Sequence, residues 1–555
     1  MEKSTKHAIE QALSRRSFLT GVGVSALGVA GAGMLGACAS ENSADEKTTE
    51  PKAATQEPAS PSAGTMSPYD GFARYEFVTA EETVESDILV VGSGTGGLVP
   101  AINLAEEGYN VVLLEKLDRW GGNTNFAEGC FGVGTEMQKE QGIEFDWHEL
   151  LLKELTFQNF NSNPKIWEQY IEHSAGDFKW FTDHGVEFEG VFGPGGGAET
   201  WHLFKGHHGN SAIEAMIPAA ESVGVDLRSE TTALGLLMEN GICVGIQAKN
   251  AEGKIIDFKA KETIIATGGT SENHDGLLQT TNRNVDRASY QGGPGHTGDG
   301  LGMVAQALDE MPKDVMLALI GSTIAGAAIS SHLGLAVGCE PKVLWVNHNG
   351  ERFIDETMSA MQLTAVNNAL LTQPDAFSII DQDLWTSLET EGVTFGLGAY
   401  LTAGEPATKM QEQWDFLEPD GNCFKADSIE ELATLMGVDF AKLQETIDAY
   451  NGYCSSGHDE DYRKDPTYLI PVKTPPFYGF RLAALHINTM GGIRINEGCQ
   501  VINRDYEPIE GLWASGVDCS GFAGETYGIV LPGSNQGVAL FTGRQIVRKI
   551  LEKNA

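Results

Sequence analysis

The chain has 555 residues, more than one ordinary core organises, and 41% of them are hydrophobic, so two interleaved globular domains are expected. Its 77 acidic residues against 37 basic ones give a net charge of −40, which repels a phosphate backbone and excludes nucleic acid as a partner. The same field disfavours anionic ligands unless the pocket supplies its own cations.

The N-terminus reads as an export signal. Ser14-Arg15-Arg16-Ser17-Phe18-Leu19 precedes a weakly apolar Gly/Ala-rich run from Gly21 to Ala37, the pattern of a twin-arginine signal. That run is too short and too rich in glycine for a membrane span. It ends at Leu35-Gly36-Ala37-Cys38, which resembles a lipoprotein cleavage box and makes Cys38 a candidate lipid anchor, with a plain cleavage site as the alternative. Residues 1–38 are assigned to the signal, and the mature protein is expected in a periplasm or on the outer face of the cell membrane. Residues 39–83 are assigned to a disordered tether and lead-in, because 39–67 hold almost no large apolar residue.

From Val84 the pattern changes to a buried strand, Ile88-Leu89-Val90-Val91, the loop Gly92-Ser93-Gly94-Thr95-Gly96-Gly97, a helix near Leu98–Glu107 and a second strand over Val111–Leu114. This is a βαβ unit. In Gly92-x-Gly94-x-x-Gly97 the first glycine permits the turn, the second admits a pyrophosphate and the third packs helix on strand. Glu115, at the end of the second strand, is placed to accept from a ribose 2′-hydroxyl. The unit fits a dinucleotide with an unphosphorylated adenosine ribose.

Further along, Val225–Glu239, Cys243–Lys249 and Ile255–Lys261 read as a β-meander turning at Glu239-Asn240-Gly241, followed by a buried strand entering Ala266-Thr267-Gly268-Gly269. Residues 84–310 are taken as the first part of the dinucleotide domain and 311–474, with mixed short strands and helices, as an inserted capping domain. After Pro475-Pro476 the chain returns to a Gly-rich α/β pattern over 475–555 and ends in a helix from about Gly537. The cysteines beyond Cys38 form no CxxC pair, so no metal site or haem attachment is expected, although a cluster gathered from scattered cysteines stays open. His207-His208, bounded by Gly206 and Gly209, is read as a solvated loop.

FAD is preferred over NAD because Gly121-Gly122-Asn123-Thr124, Ala266-Thr267-Gly268-Gly269 and Gly511-Leu512-Trp513-Ala514-Ser515-Gly516 line up as successive flavin-contact segments. With Thr297-Gly298-Asp299-Gly300, Asn347-x-x-Gly350-x-Arg352-Phe353, Thr489-Met490-Gly491-Gly492 and Gly533-Ser534-Asn535-Gln536, the chain resembles the FAD-dependent fumarate reductase and 3-oxosteroid dehydrogenase superfamily over nearly all of residues 84–555. The resemblance implies an α/β fold: a two-part Rossmann-like FAD-binding domain with an inserted α+β capping domain, and an active site between them. It places Gly96, Glu115, Asn123, Thr124, Gly129 and Asp299 on FAD, Ser534, Asn535 and Gln536 near the ring, and Asp518 as a candidate ribityl contact after Gly516. Covalent members carry a histidine at the position of Asn123, so FAD is expected to be non-covalent here.

The same comparison argues against fumarate. In fumarate reductases of the family the arginine that delivers the proton lies eight residues beyond that of the Arg-Phe pair, which counted from Arg352 is Ala360. The histidine before Thr-Met-Gly-Gly is Asn488, and the arginine that clamps a substrate carboxylate is Leu531 when Asn535 anchors the register. A dicarboxylate left without such partners costs several kcal/mol for each unpaired charge. Gly524-Glu525-Thr526-Tyr527-Gly528 instead resembles the Gly-His-Thr-Tyr segment of 3-oxosteroid dehydrogenases, whose tyrosine polarises a ketone, and makes Tyr527 the leading electrophile. Tyr400 and His486 are the other candidate proton donors.

The expected function is that of an exported ene-reductase. It would reduce the C=C bond of a neutral α,β-unsaturated carbonyl compound, such as an enone steroid, an unsaturated lactone or an acrylate-like compound, fed by a separate membrane-linked cytochrome or quinol. The alternatives are a 3-oxosteroid dehydrogenase running in the oxidative direction and a non-catalytic flavin- or ligand-binding lipoprotein.

Overall fold

The computed structural model describes residues 71–555 apart from 73, 194–196, 282, 397–399, 525 and 529. The export signal, Cys38 and the tether as far as residue 70 lie outside the described residues. The last part of the segment expected to be disordered is packed. Phe72 is buried, and Tyr75 donates through its hydroxyl to Gln247 Oε1 (2.6 Å) and through its N–H to Gln306 Oε1 (2.9 Å). Aromatic residues return to the chain here and bury the surface that the stretch before them lacks.

β1 (Glu82–Val91), the helix Thr95–Glu106 and β2 (Val111–Leu114) form the expected βαβ unit, with β1 and β2 parallel and in register from Ile88↔Val111 to Val91↔Leu114. Residues 88–91 and all of β2 are buried, as continuous apolar strands must be when both faces of a parallel sheet are covered. A small antiparallel sheet follows, β3 (Gly129–Phe131), β4 (Phe188–Phe192) and β5 (Trp201–Phe204), in the order β3-β5-β4. Between its first two strands lies the helix Pro164–Asp183, started by Asn163, whose Oδ1 accepts from Lys165 N (3.0 Å), with Pro164 at a position where a missing N–H costs nothing.

β6 (Asp226–Arg228) adds to the large sheet beside β2, so the segment expected as one strand over Val225–Glu239 is two. β7 (Thr232–Glu239) and β8 (Ile242–Lys249) form the predicted hairpin, whose turn residues Asn240 and Gly241 take φ of 52° and 84°, the left-handed pair a tight hairpin turn demands. β9 (Ile255–Ile265) is continuous: the meander's third strand and the buried strand that follows are a single element. Its first half pairs with β8 and its second half with β17, while β1 runs along its other edge.

The second sheet is built around one long strand. β10 (Ala288–Tyr290), β11 (Lys313–Ile324), β12 (Leu344–Asn347), β13 (Ala376–Asp381) and β14 (Cys423–Ala426) all belong to it, and all but β12 pair with β15 (Phe477–Gly492). β15 stays beside β13 and β14 from Phe477 to Arg481, then reaches β11 and ends opposite Lys313. Alternate residues of β12 and β13 enter different cores: Trp345 and Ile380 pack with Trp385 and Phe480, whereas Leu344 and Ile379 pack with Leu443 and Tyr450. β16 (Gln500–Ile502) and β17 (Pro508–Ala514) complete the large sheet in the order β16-β17-β9-β1-β2-β6. The last helix, Ser534–Asn554, begins three residues before the expected Gly537 because Gly533 turns in the left-handed region at φ 83°.

Candidate active site

A cavity opens beyond the C-terminal ends of β1, β2 and β9, where ligands of open α/β sheets bind. Gly92, Gly94, Gly96, Glu115, Gly122, Asn123, Thr124, Gly129, Ala266, Thr267, Gly268, Asp299, Gly516, Asn535 and Gln536 line it, together with Tyr400 and Tyr527. Residues spread from 91 to 539 thus meet in one wall.

The glycine loop divides its work as its spacing predicts. A Cβ on Gly92, at φ 107°, would lie 2.1 Å from Ala266 O, and one on Gly97 would lie 1.9 Å from Gly92 O, so both positions are closed by the protein itself. A Cβ on Gly94 would come no nearer than 3.6 Å to any atom, so that glycine leaves its space to the cavity. Gly94 has no side chain to cap the helix that starts after it, and although Thr124 Oγ1 accepts from Thr95 N (3.0 Å), no acidic residue stands in the first turn to offset the helix dipole. The carboxylate of Glu115 is held by Ser93 Oγ (2.6 Å), Ser93 N (3.2 Å) and Leu117 N (2.9 Å), in an acceptor-only orientation suited to a ribose hydroxyl. Next to it Lys116 Nζ donates to Asp299 Oδ2 (2.6 Å) and Thr297 Oγ1 (2.7 Å). An open glycine, a helix N-terminus without an acidic residue and an anchored carboxylate fit the pyrophosphate and adenosine of FAD.

Several expected contacts stand behind this wall. Gly97, Gly269 and Ser534 do not line the cavity; a Cβ on Gly269 would lie 2.4 Å from Thr489 Oγ1, and the Ser534 carbonyl accepts from the Tyr170 hydroxyl (2.9 Å). Asp518 is corrected from cofactor contact to support. Fully buried, it accepts through Oδ2 from Thr267 N (2.5 Å), Thr267 Oγ1 (3.0 Å) and Gly268 N (3.2 Å), and through Oδ1 from Gly269 N (2.7 Å). It shapes the turn that meets the cofactor. Asn123 likewise has its amide committed, donating to Ile487 O (2.7 Å) and accepting from Gly293 N (2.6 Å). An amide in that position forms no bond to the flavin methyl group, in keeping with non-covalent FAD. Sequence reasoning passed over His296, which lines the cavity beside Gly268; burial lowers its pKa to about 4, so it is a neutral imidazole.

The other end of the cavity is walled by Ile320, Ile329, Ala360, Leu363, Phe395 and Trp201 among others. Ala360 and Asn488 do face it, and Asn488 exchanges hydrogen bonds with Asn535 at 3.0 and 2.8 Å. Leu531 does not: it is fully buried in the core, and Pro532 and Gly533 take its place in the wall. Arg352, from the family's Arg-Phe pair, is structural. It donates to Glu356 and Asp459, and Lys464 Nζ lies 3.3 Å from Glu356, all four side chains being buried away from the cavity. Among the described residues Lys116 is the only lysine or arginine in the cavity wall, and Asp299 neutralises it.

Tyr527 lines the cavity, and its hydroxyl faces the Ser534 side chain and the backbone N–H of Asn535; burial raises its pKa to about 12, so it is a neutral hydrogen-bond donor. Its loop is held from behind. Gln158 accepts from Gly524 N (2.8 Å) and donates to the buried Glu154 (2.7 Å), while a Cβ on Gly528 would lie 2.3 Å from the Glu154 carboxylate. From the cap side Asn368 donates to Thr526 Oγ1 (2.6 Å). His486 is corrected: it lies outside the wall, packed against Tyr290 at 5.3 Å between ring centroids, and burial holds its pKa down at about 4.

Tyr400 faces the cavity beside Glu128, a residue that sequence reasoning missed. The Tyr400 hydroxyl faces the Glu128 carboxyl, and burial raises the pKa of Glu128 to about 7. A single acidic residue ahead of β3 carries no motif, and only its placement in the cavity marks it. His207 is half-exposed, pairs with Glu189 (2.6 Å) and faces Glu128 from outside the cavity.

A family model described as an FAD binding domain matches residues 87–527. The vinyl phenol reductase of Lactiplantibacillus plantarum is 36% identical over 470 residues, covering 82% of this chain and 94% of that protein. Among solved structures, the open conformation of a flavocytochrome c3 fumarate reductase shares the fold with a TM-score of 0.63 at 24% identity, over 85% of this chain and 79% of that one. The 3-ketosteroid delta1-dehydrogenase of Sterolibacterium denitrificans does so with a TM-score of 0.65 at 19% identity, over 84% and 100%. A matched family model spanning most of the chain, a relative aligned over nearly its full length and a cavity shaped for FAD agree. The chain belongs to the family described by this FAD binding domain model and is an FAD-dependent oxidoreductase acting on C=C or CH–CH bonds.

Proposed function

We propose that this protein reduces the C=C bond of a neutral alkene conjugated to a carbonyl or a phenol ring, and that dicarboxylates are not its substrates. The observation that carries this reading is the substrate end of the cavity: apolar side chains and tyrosines, Ala360 in place of an arginine and, among the described residues, no lysine or arginine in the wall except Lys116, already paired with Asp299. A carboxylate buried there without a partner costs several kcal/mol, whereas a neutral oxygen needs only a donor. The vinyl phenol reductase relative supports a neutral, aromatic class.

Bound and reduced, FAD supplies a hydride. Tyr527 donates a hydrogen bond to the substrate oxygen, and its raised pKa keeps that proton in place through neutral pH. Trp201, Phe395 and Leu363 exclude water and hold the alkene by apolar contact. The test is anaerobic: reduce the purified protein, add 4-vinylphenol, enone steroids, unsaturated lactones, cinnamate, urocanate or fumarate, and follow flavin reoxidation at its visible band. Rapid reoxidation by the neutral alkenes and slow reoxidation by fumarate is the expected outcome; rapid reoxidation by fumarate overturns it.

Tyr527 also favours a second reading, oxidation of a saturated 3-oxosteroid, and turnover in that direction alone would establish it. We infer further that the protein is exported by its twin-arginine signal, is tethered through Cys38 and receives electrons from a membrane-linked cytochrome or quinol. The sequence Arg15-Arg16 and the cleavage box support this. Arg15→Lys with Arg16→Lys should leave the protein in the cytoplasm, and export unchanged by the pair of substitutions removes the inference.

A further inference from the structure

The hydride needs a matching proton, and the residue that the resemblance to fumarate reductases implies for its delivery, an arginine, is Ala360 here. The cavity must hold another donor. Tyr527 is engaged with the substrate oxygen in the proposed function, His486 lies outside the wall, and His296 stands at the glycine-loop end beside Gly122 and Gly268. Among the described residues the remaining ionisable oxygen acids in the substrate half are Glu128 and Tyr400, whose side chains face each other.

We propose that Glu128 and Tyr400 form the proton-delivery pair, Tyr400 protonating the alkene carbon as it takes a proton from Glu128, with His207 returning the proton to Glu128 from solvent. The inference rests on the function proposed above. It stands on three placements. Glu128 precedes β3, where the Glu128 carbonyl accepts from Phe204 N (2.9 Å) and fixes the residue between two sheet strands. Tyr400 reaches the same cavity from the inserted part of the chain, so the two meet in its wall although they lie far apart in sequence. His207 closes the outer side, half-exposed and oriented by Glu189, whose carboxylate also accepts from Gly206 N (2.9 Å).

Among the described residues His207 and Tyr400 are the ionisable groups that face Glu128. Burial raises the Glu128 carboxyl to about 7, so near neutral pH it holds a proton that it can release and regain. Tyr400 is pushed up to about 12 by burial and by Glu128, so it passes a proton on only as it receives one. In the step the alkene π bond breaks and two C–H bonds form, one from the hydride and one from the Tyr400 proton. The Glu128 proton moves to the Tyr400 oxygen, leaving a carboxylate that solvent reprotonates through His207. The sign follows: the protonated acid is the active form, so reduction is fastest below about pH 7 and falls as pH rises through that value.

The test uses the full-length FAD-loaded protein, pre-reduced and mixed anaerobically with 4-vinylphenol and with an enone steroid across pH 5.5–9. In wild type the rate of flavin reoxidation should fall about tenfold per pH unit on the alkaline side. Glu128→Gln should slow the step on the order of 10²-fold or more and flatten that limb, Tyr400→Phe should slow it comparably, and His207→Gln should give a milder loss that added imidazole restores. Flavin content and the shift of the flavin band on product binding should match wild type in all three, and an infrared carboxylic-acid band titrating near neutrality should vanish in Glu128→Gln. Glu128→Gln retaining the wild-type rate and alkaline limb overturns the pair while the function stands. A wild type reoxidised by none of the neutral alkenes overturns the function, and the donor with it.

Discussion

The two ends of the cavity are built by different means. At the glycine-loop end the wall is largely backbone and short side chains set by the motif: Gly97 is closed by Gly92 of its own βαβ unit, Gly92 by Ala266 just after β9, and Glu115 is tied down by Ser93 and Leu117. At the other end Glu128 and Trp201 come from the small antiparallel sheet and its approach, Ala360 and Tyr400 from the inserted part of the chain, and Tyr527 from the loop before the last helix, and they meet only in the folded cavity. The first end needs the same geometry for any FAD, so it takes the form of a motif. The second must suit one substrate, and single side chains there change without disturbing the fold.

Substitutions can break this contrast or sharpen it. The largest effect is expected from Gly97→Ala, whose Cβ meets Gly92 O at 1.9 Å: helix and strand must separate, and the protein should lose both its flavin and its cooperative melting transition. Gly94→Ala, with 3.6 Å of clearance, should keep the melting transition of the apoprotein and lose flavin alone; equal damage from both, read by calorimetry and flavin absorbance, would erase the distinction between closed and open glycines.

At the opposite end, Ala360→Arg puts an uncompensated guanidinium in an apolar wall, where an unpaired charge costs several kcal/mol. Neutral alkenes should then reoxidise the flavin at least about 10-fold more slowly, and urocanate or fumarate should bind more tightly, as the charge finds a partner. An unaltered ratio of neutral to anionic substrate rates would sink the electrostatic argument. Tyr527→Phe removes one donor and should lower the rate about 10²-fold without changing flavin content, as loss of an oxyanion-type donor does. Rates within a factor of about two of wild type would reduce Tyr527 to a packing residue.

The smallest effect belongs to Lys116→Met. Its ion pair with Asp299 is partly exposed, at 23% and 30% for the two side chains, so stability should change by about 1 kcal/mol or less, with a modest weakening of FAD binding. Denaturant midpoints and flavin titration measure both, and a loss of several kcal/mol would move the pair from a local anchor to a structural one.

Much of the FAD end was legible in the chain. Spacing alone gives Gly92, Gly94, Gly97 and Glu115, because a phosphate-binding turn imposes fixed offsets over a short stretch. Asp518 was misassigned for a related reason: its neighbours in sequence mark it as close to the cofactor, but whether a carboxylate points into a cavity or back at the Thr267–Gly269 turn depends on which amides are unpaired nearby. Leu531 shows how a register counted through an irregular segment drifts from wall to core. His486 was a plausible acid, but the pairing of β15 with β11 shifts register at His486, so regular alternation fails there: Ile487 and Asn488 both line the cavity and the imidazole packs against Tyr290.

By itself the sequence determined the βαβ unit, the turn at Asn240-Gly241, the FAD grip and the absence of an arginine at position 360, all of which follow from local spacing or from the identity of one residue. Tertiary structure alone decided that Glu128 meets Tyr400, that Arg352 belongs to a buried ion cluster, and that Lys116 is already neutralised by Asp299. The reason is physical: a charge takes its meaning from the solvent it has lost and the partner it has gained, and both are set by residues far away in the chain.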